Sequence, residues 1–210
     1  AYLVDDEARA AAYGLLERRV GTDPRDILAA PEETLLEVAR AGGIMADRRV
    51  SRLRRVAEIA LEKFGGDLRD VVNGPIDQAK RGLRMFPGIG EPGAEKILLF
   101  ARRHPILALD SNGLRVLSRL GFGAEKKSYA ATYRCVQEAA SREIRADCDG
   151  LIAAHLLLRR HGQTLCKASV PLCDRCPLRH HCRYFRSRPR HHDKVGPARP
   201  AAGRWSAGPH

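Results

Sequence analysis

The chain has 210 residues, 44% of them hydrophobic and 30% charged, enough for one good core or two small ones. Its 37 Lys and Arg outnumber 25 acidic residues, and the net charge of +12 favours a polyanionic partner through phosphate neutralisation. No apolar run approaches the ~20 residues of a bilayer span, and the start, AYLVDDEARA, lacks a basic-then-apolar signal pattern, so no membrane association is expected and the protein is placed in the cytoplasm with the nucleoid.

Taken in order, the first helical stretch covers residues 5–20; only four residues precede it and there is no initiator methionine, which is compatible with a truncated N-terminus. Thr22-Asp23-Pro24 reads as a cap with proline in the first turn, opening a short helix to residue 30. Pro31-Glu32-Glu33 opens another, apolar at Leu35, Leu36, Val38 and Ala39 and ended by Gly42-Gly43. A longer helix is predicted over 47–64, with Val50, Leu53, Ala57, Ala60, Leu61 and Phe64 on one face and Gly65-Gly66 closing it. Asn73-Gly74-Pro75 turns the chain into a helix ending near residue 84.

Phe86-Pro87-Gly88-Ile89-Gly90 then places two glycines and a proline between apolar-periodic segments, the composition of a tight helix-to-helix turn with open backbone amides. Its second helix spans 92–103, where His104-Pro105 breaks it. Asp110-Ser111-Asn112 offers cap residues for a helix through residue 120, which Gly121 and Gly123 end. Further helices are predicted over 125–140 and 147–160, with His161-Gly162 as the stop. No period-two strand appears, so the class is all-α. Residues 187–210, rich in Arg, Pro, Gly and His, lack apolar periodicity and read as a disordered basic tail.

Of six cysteines, Cys166, Cys173, Cys176 and Cys182 fall within 17 residues. A disulfide framework would be unusual in a cytosolic chain of this size, and four soft ligands on one loop suit either zinc or a cubane of iron and sulfide. Cys135 and Cys148 lie on helical segments and are expected to be buried and inert.

The glycine turn followed by Asp110, and the Cys-x6-Cys-x2-Cys-x5-Cys loop after it, resemble the helix-hairpin-helix DNA glycosylases, in particular the endonuclease III and adenine DNA glycosylase families. The resemblance implies a two-lobed helical fold: a barrel-like domain with the hairpin over 1–104, an iron-sulfur domain over 105–186, and the tail. It implies a 4Fe-4S cluster on the four cysteines, a monomer, and duplex DNA with a damaged or mismatched base as partner. The hairpin positions Gly88, Ile89 and Gly90 would face a phosphate, with a monovalent cation as a possible companion there; a plain packing turn is the other reading. Ile44 matches the family's apolar wedge or is a core residue, and Arg175 and Arg179, with His180 and Arg183, either meet phosphates or form a solvated surface.

Asp110 matches the family's catalytic aspartate, which stabilises the sugar cation or orients water, and it is also a plausible N-cap; Asn112 completes an Asp-x-Asn like that of adenine DNA glycosylase. One departure bears on mechanism. Pro92 stands 18 residues before Asp110, where endonuclease III has its nucleophilic lysine, and Lys96, a full turn on, is expected to face elsewhere. Nor does Glu7 evidently match the glutamate of adenine glycosylases. The expected function is therefore a hydrolytic, monofunctional glycosylase of base excision repair with lyase action in doubt. A non-catalytic iron-sulfur scanning module and a zinc-stabilised nucleic-acid adaptor are the alternatives.

Overall fold

Capping side chains start several of the helices and left-handed glycines end others, so local chemistry sets much of the architecture. The computed structural model describes residues 6–144 and 146–187, and among these there is no strand. Residues 188–210 of the expected tail, and residues 1–5, lie outside the described residues. The helices are α1 (Asp6–Arg19), α2 (Pro24–Ala29), α3 (Glu32–Ala41), α4 (Ala46–Phe64), α5 (Arg69–Asn73), α6 (Ile76–Leu83), α7 (Glu91–Phe100), α8 (Ser111–Leu120), α9 (Tyr129–Glu143), α10 (Cys148–Thr164) and α11 (Arg183–Ser187). Single 3-10 turns at Cys173–Arg175 and Arg179–His181 punctuate the cysteine loop.

Asp23, Asp110, Ser128 and Asp147 each accept a backbone N–H from the first turn of the helix they precede, satisfying donors that have no partner within the helix. Several boundaries differ from the sequence expectation by three or four residues. α9 starts at Tyr129 rather than 125, because Ser128 is the cap and the Lys126 N–H is taken by Thr132 Oγ1 at 2.9 Å. It then continues through residue 143, past the expected end. α7 ends at Phe100 rather than 103, since Arg102 turns left-handed at φ 55° and the Arg103 N–H closes back on the Leu98 carbonyl at 3.2 Å. The short helix α5, flanked by an Asp67 side chain that accepts from the Arg69 N–H, had no distinct apolar period to announce it.

The end of α10 differs as well. α10 runs straight through His161-Gly162 to Thr164, because Gly162 serves a close approach and not a stop. A Cβ there would lie 2.7 Å from Asn112 Cβ and 3.0 Å from its carbonyl oxygen, so the missing side chain is what lets α10 lie against α8.

Buried side chains gather in linked clusters. Leu35, Leu36, Ala39 and Val50 join α3 to α4; Ala79, Leu83, Ala94 and Leu98 join the two helices of the glycine turn; Ile59, Ala60 and Phe86 fix α4 against that turn. The largest unites Leu99, residues 107–109, α8, α9 and Leu151 of α10. Leu99 belongs to this last cluster while Ile106 packs with α6 and α7, so side chains from both sides of residue 104 interlock. Cys135 and Cys148 are only half-buried, which corrects the expectation of full burial: Cys135 Sγ faces the exposed turn before α9 and accepts from the Ala124 N–H at 3.3 Å. No helix among the described residues is long and apolar enough to cross a membrane.

Candidate active site

α6 and α7 meet at Phe86–Gly90. Phe86 is buried, and the Ile89 side chain packs into the same cores, so the turn is anchored from beneath. Gly88 adopts φ 85°, a left-handed conformation that favours glycine. The Ile89 N–H is committed to the Phe86 carbonyl at 3.1 Å, whereas the exposed Gly88 and Gly90 donate no backbone bond among the described residues. Of the three hairpin residues named from the sequence, two therefore present free amides and Ile89 serves as the anchor. A guanidinium stands beside the turn: Arg52 Nη1 of α4 lies 3.4 Å from the point a Gly88 Cβ would occupy. Arg52 has no acidic partner among the described residues, unlike Arg55, which pairs with Glu58.

Gly88 and Gly90 border an open cleft of about 990 Å³ that also takes in Pro92, Gly93, Lys96, Leu109, Asp110, Ser111, Asn112, Tyr129, Arg159 and Gln163, as well as Asp6 and Arg9. Asp110 is both cap and cleft residue. Its Oδ1 accepts from the Gly113 N–H at 2.7 Å, while Oδ2 accepts from Asn112 Nδ2 at 3.2 Å and lies 3.6 Å from Arg159 Nε. The cap thus aims the carboxylate, and the two readings of Asp110 are complementary.

The strand of backbone that delivers Asp110 is pinned three times. Gln137 Nε2 donates to the Leu107 carbonyl at 3.0 Å, His155 Nδ1 meets the Ala108 carbonyl at 2.8 Å, and the Leu109 N–H donates to the Tyr133 hydroxyl at 3.3 Å. Tyr133 in turn donates to Glu95 Oε2 at 2.7 Å, and Glu95, only 3% exposed, also accepts from Gln137 Nε2 at 2.7 Å and from Lys80 Nζ at 2.8 Å. Burial and the neighbouring Glu95 raise the Tyr133 phenol far above its ordinary range, so it remains a neutral donor. Burial alone would lower the Lys80 ammonium; its hydrogen bonds to Glu95 and Glu91 outweigh that and raise it. This buried network escaped the sequence reading, because a glutamate at position 95 carries no periodic signal that distinguishes it from a surface residue.

Asn112 Oδ1 accepts from Arg115 Nη2 at 2.7 Å, and Arg115 Nε donates to the Cys166 carbonyl at 2.8 Å, so a polar chain runs from the catalytic candidate to the cysteine loop. The four clustered cysteines line one small cavity, together with Arg119, His161 and Tyr184. None is in a disulfide, and among the described residues no group of three or more Cys, His, Asp or Glu converges on a site for a single metal ion. Four thiols lining one cavity are a soft donor set that suits either a zinc ion or a cage of iron and sulfide. Arg119 ties the loop down through the Lys167 and Ala168 carbonyls at 2.7 and 2.9 Å and stacks on Tyr184, 4.6 Å from the ring centre.

One further placement differs from expectation, and others decide between readings left open. Lys96 lines the cleft with Pro92, because residues four apart on a helix stack on one face. Asp6 and Arg9 line the cleft, while Glu7 is not among the lining residues. Ile44 is 61% exposed, which excludes the core reading, and it precedes a left-handed Met45 at φ 63°. Arg175 is exposed, whereas Arg179 is partly spent inside the loop on the Asp174 carbonyl at 3.0 Å. Arg159, Tyr129 and Arg52 were missed; for Arg159 the available signal was its i,i+4 spacing from Gln163 on α10.

The glycine turn with free amides and the aspartate cap that face the same cleft both lie within the superfamily match, which extends over residues 4–142. The chain belongs to the HhH-GPD superfamily of base excision DNA repair proteins. Among its HhH-GPD relatives, endonuclease III of Thermotoga maritima is 27% identical over 88% of this chain and 78% of its own. Thymine-DNA glycosylase of Aeropyrum pernix is 29% identical over 78% of this chain and 69% of its own. A trapped covalent intermediate of endonuclease III with DNA superposes with a TM-score of 0.65 at 25% identity, covering 87% of this chain and 78% of that one. A non-covalent endonuclease III–DNA complex, at 24% identity and TM-score 0.69 over 89% and 79%, bears on the fold alone. The HhH-GPD fold is thus all-helical here, as the sequence led one to expect.

Proposed function

We propose that this chain is a DNA glycosylase of the endonuclease III type that hydrolyses the N-glycosidic bond of a damaged or mismatched base in duplex DNA, acting as a monomer with Asp110 as its catalytic carboxylate. The observation that carries the reading is the joint placement of Asp110 and the free amides of Gly88 and Gly90 on one cleft. The amides, with Arg52, hold a backbone phosphate; Ile44 fills the gap left by the extruded nucleotide; Asn112 steadies Asp110; Arg175, and more weakly Arg179, meet phosphates from the cysteine loop. As the C1′–N bond breaks, its electron pair leaves with the base and positive charge develops on the sugar, which the Asp110 carboxylate stabilises. Water then adds to C1′ and its proton passes to Asp110.

Cys166, Cys173, Cys176 and Cys182 are assigned to a 4Fe-4S cluster, supported by the cavity they share and by the resemblance of their Cys-x6-Cys-x2-Cys-x5-Cys spacing to the iron-sulfur loop of endonuclease III. When bound, such a cluster supplies a structural cross-link for the loop. The non-catalytic alternative leaves the alignment of Asp110 toward the cleft without a use.

A second reading is favoured by one observation: Lys96 lines the cleft, and an amine there suits imine formation at C1′ and strand cleavage. The test is a panel of duplexes, each with one damaged or mismatched base, scored with and without alkali. Hydrolysis predicts breaks that need alkali. Alkali-independent breaks, with borohydride trapping the chain on DNA, would replace it by the lyase reading.

A further inference from the structure

Two carboxylates line the cleft, Asp6 of α1 and Asp110, together with three cationic side chains, Arg9, Lys96 and Arg159. Arg159 of α10 stands between the two carboxylates. Its Nη2 donates to Asp6 Oδ1 at 2.6 Å, whereas its Nε lies 3.6 Å from Asp110 Oδ2, beyond hydrogen-bond length. Arg9 pairs with the same Asp6 oxygen, so positive and negative groups alternate in the order Arg9, Asp6, Arg159, Asp110. The Arg159 side chain is only 24% exposed, and opposite charges this close attract strongly where water is scarce. Asp110 nonetheless accepts, among the described residues, from neutral donors alone, the Gly113 N–H and Asn112 Nδ2. A carboxylate that must meet a developing sugar cation and then take a proton works best with no cation closed upon it.

Resting on the glycosylase reading, we infer that Asp6 is a positioning residue: it holds the Arg159 guanidinium off Asp110, so that the proposed catalytic carboxylate keeps its charge for the sugar. When Asp6 loses its charge, Asp110 is the one carboxylate left on the cleft. Arg159 then turns to it and forms a charge-assisted pair with Oδ2. That pair stabilises the carboxylate before the bond breaks and engages the oxygen that receives the proton of water, so the barrier rises. Helix α1 thereby contributes to the active site through a side chain that acts by way of Arg159. A plain tie between α1 and α10 differs in its consequence, because it makes the loss of either partner equally harmful.

The test is single-turnover base release by the full, iron- and sulfide-reconstituted chain on a duplex that the wild type acts on, with affinity for an abasic-site duplex measured beside it. Asp6→Asn is expected to slow release by about 10- to 100-fold, the effect of one charge-assisted hydrogen bond, without weakening abasic-site binding. Asp6→Glu keeps the charge and recovers most of the rate. The decisive variant combines Asp6→Asn with Arg159→Gln, in which no guanidinium remains at position 159 to close on Asp110. It is expected to release base faster than Asp6→Asn alone and to regain most of the loss. A double variant as slow as Asp6→Asn or slower, which is what a plain tie between α1 and α10 gives, overturns the inference and leaves the glycosylase reading in place. So does a wild-type rate in Asp6→Asn. If the wild type releases no base from any duplex of the panel, the glycosylase reading falls and this inference with it.

Discussion

Tyr133 spans the distance between a buried carboxylate and the backbone that presents Asp110, the proposed catalytic aspartate. Its hydroxyl donates to Glu95 and accepts from the Leu109 N–H. Removing it strands a buried N–H and takes one donor from a buried anion, each costly because no water replaces the lost partner. Tyr133→Phe is expected to destabilise the fold by about 1–3 kcal/mol, read as a lower midpoint in urea, and to slow base release further at temperatures where the protein is still folded. Unchanged stability would mean that the network is not closed in solution. At this scale the sequence was legible only where a residue type has few uses. Asp110 before Ser-Asn, the glycines of the hairpin and the four cysteines stood out. Glu95, Tyr133 and Arg159 did not, because their partners lie 38, 24 and 49 residues away along the chain.

Among the elements, the contact of α8 with α10 has the most direct bearing on the site. Asn112 and Gly162 pack with no room for a methyl group, and Arg115 donates both to Asn112 and to the Gly162 carbonyl, the latter at 2.9 Å. Gly162→Ala places a Cβ within 2.7 Å of Asn112 Cβ, so the helices must separate and carry Asp110 with them. Although alanine is the better helix former, we expect a net loss of about 1–3 kcal/mol in stability and a lower rate of base release at 25 °C. A more stable protein with full activity would show that the two helices part freely. Helix identities were largely readable from apolar period and caps. The end of α10 was not, since a glycine that permits helix contact looks in sequence like one that terminates a helix.

At the level of the whole molecule, the free hairpin amides, Arg52, Ile44 and the exposed Arg175 form the surface proposed to meet DNA, and Arg115 and Arg119 of α8 tie down the cysteine loop that carries Arg175. Arg52→Ala is expected to reduce the slope of log affinity against log salt by about one, with little change in preference among sequences; an unchanged slope would remove Arg52 from the phosphate site. Metal analysis of anaerobically purified protein should return about four irons and four sulfides per chain, and chelation should lower the thermal midpoint while the loop loses its cross-link. Stoichiometric zinc in colourless protein would replace the cluster by a zinc site. The lack of period-two alternation made the all-helical class legible at this scale, but it left open how the cysteine loop is tied to the cleft, which depends on hydrogen bonds from Arg115 that no spacing reveals.

The central claim is that Asp110 performs the chemistry, and single-turnover base release by Asp110→Asn tests it most directly. The substitution keeps the shape and an acceptor for the Gly113 N–H while removing the charge, so binding to an abasic-site duplex should survive and the rate should fall by about 100- to 10,000-fold. Base release at the wild-type rate in a folded Asp110→Asn protein would contradict the account.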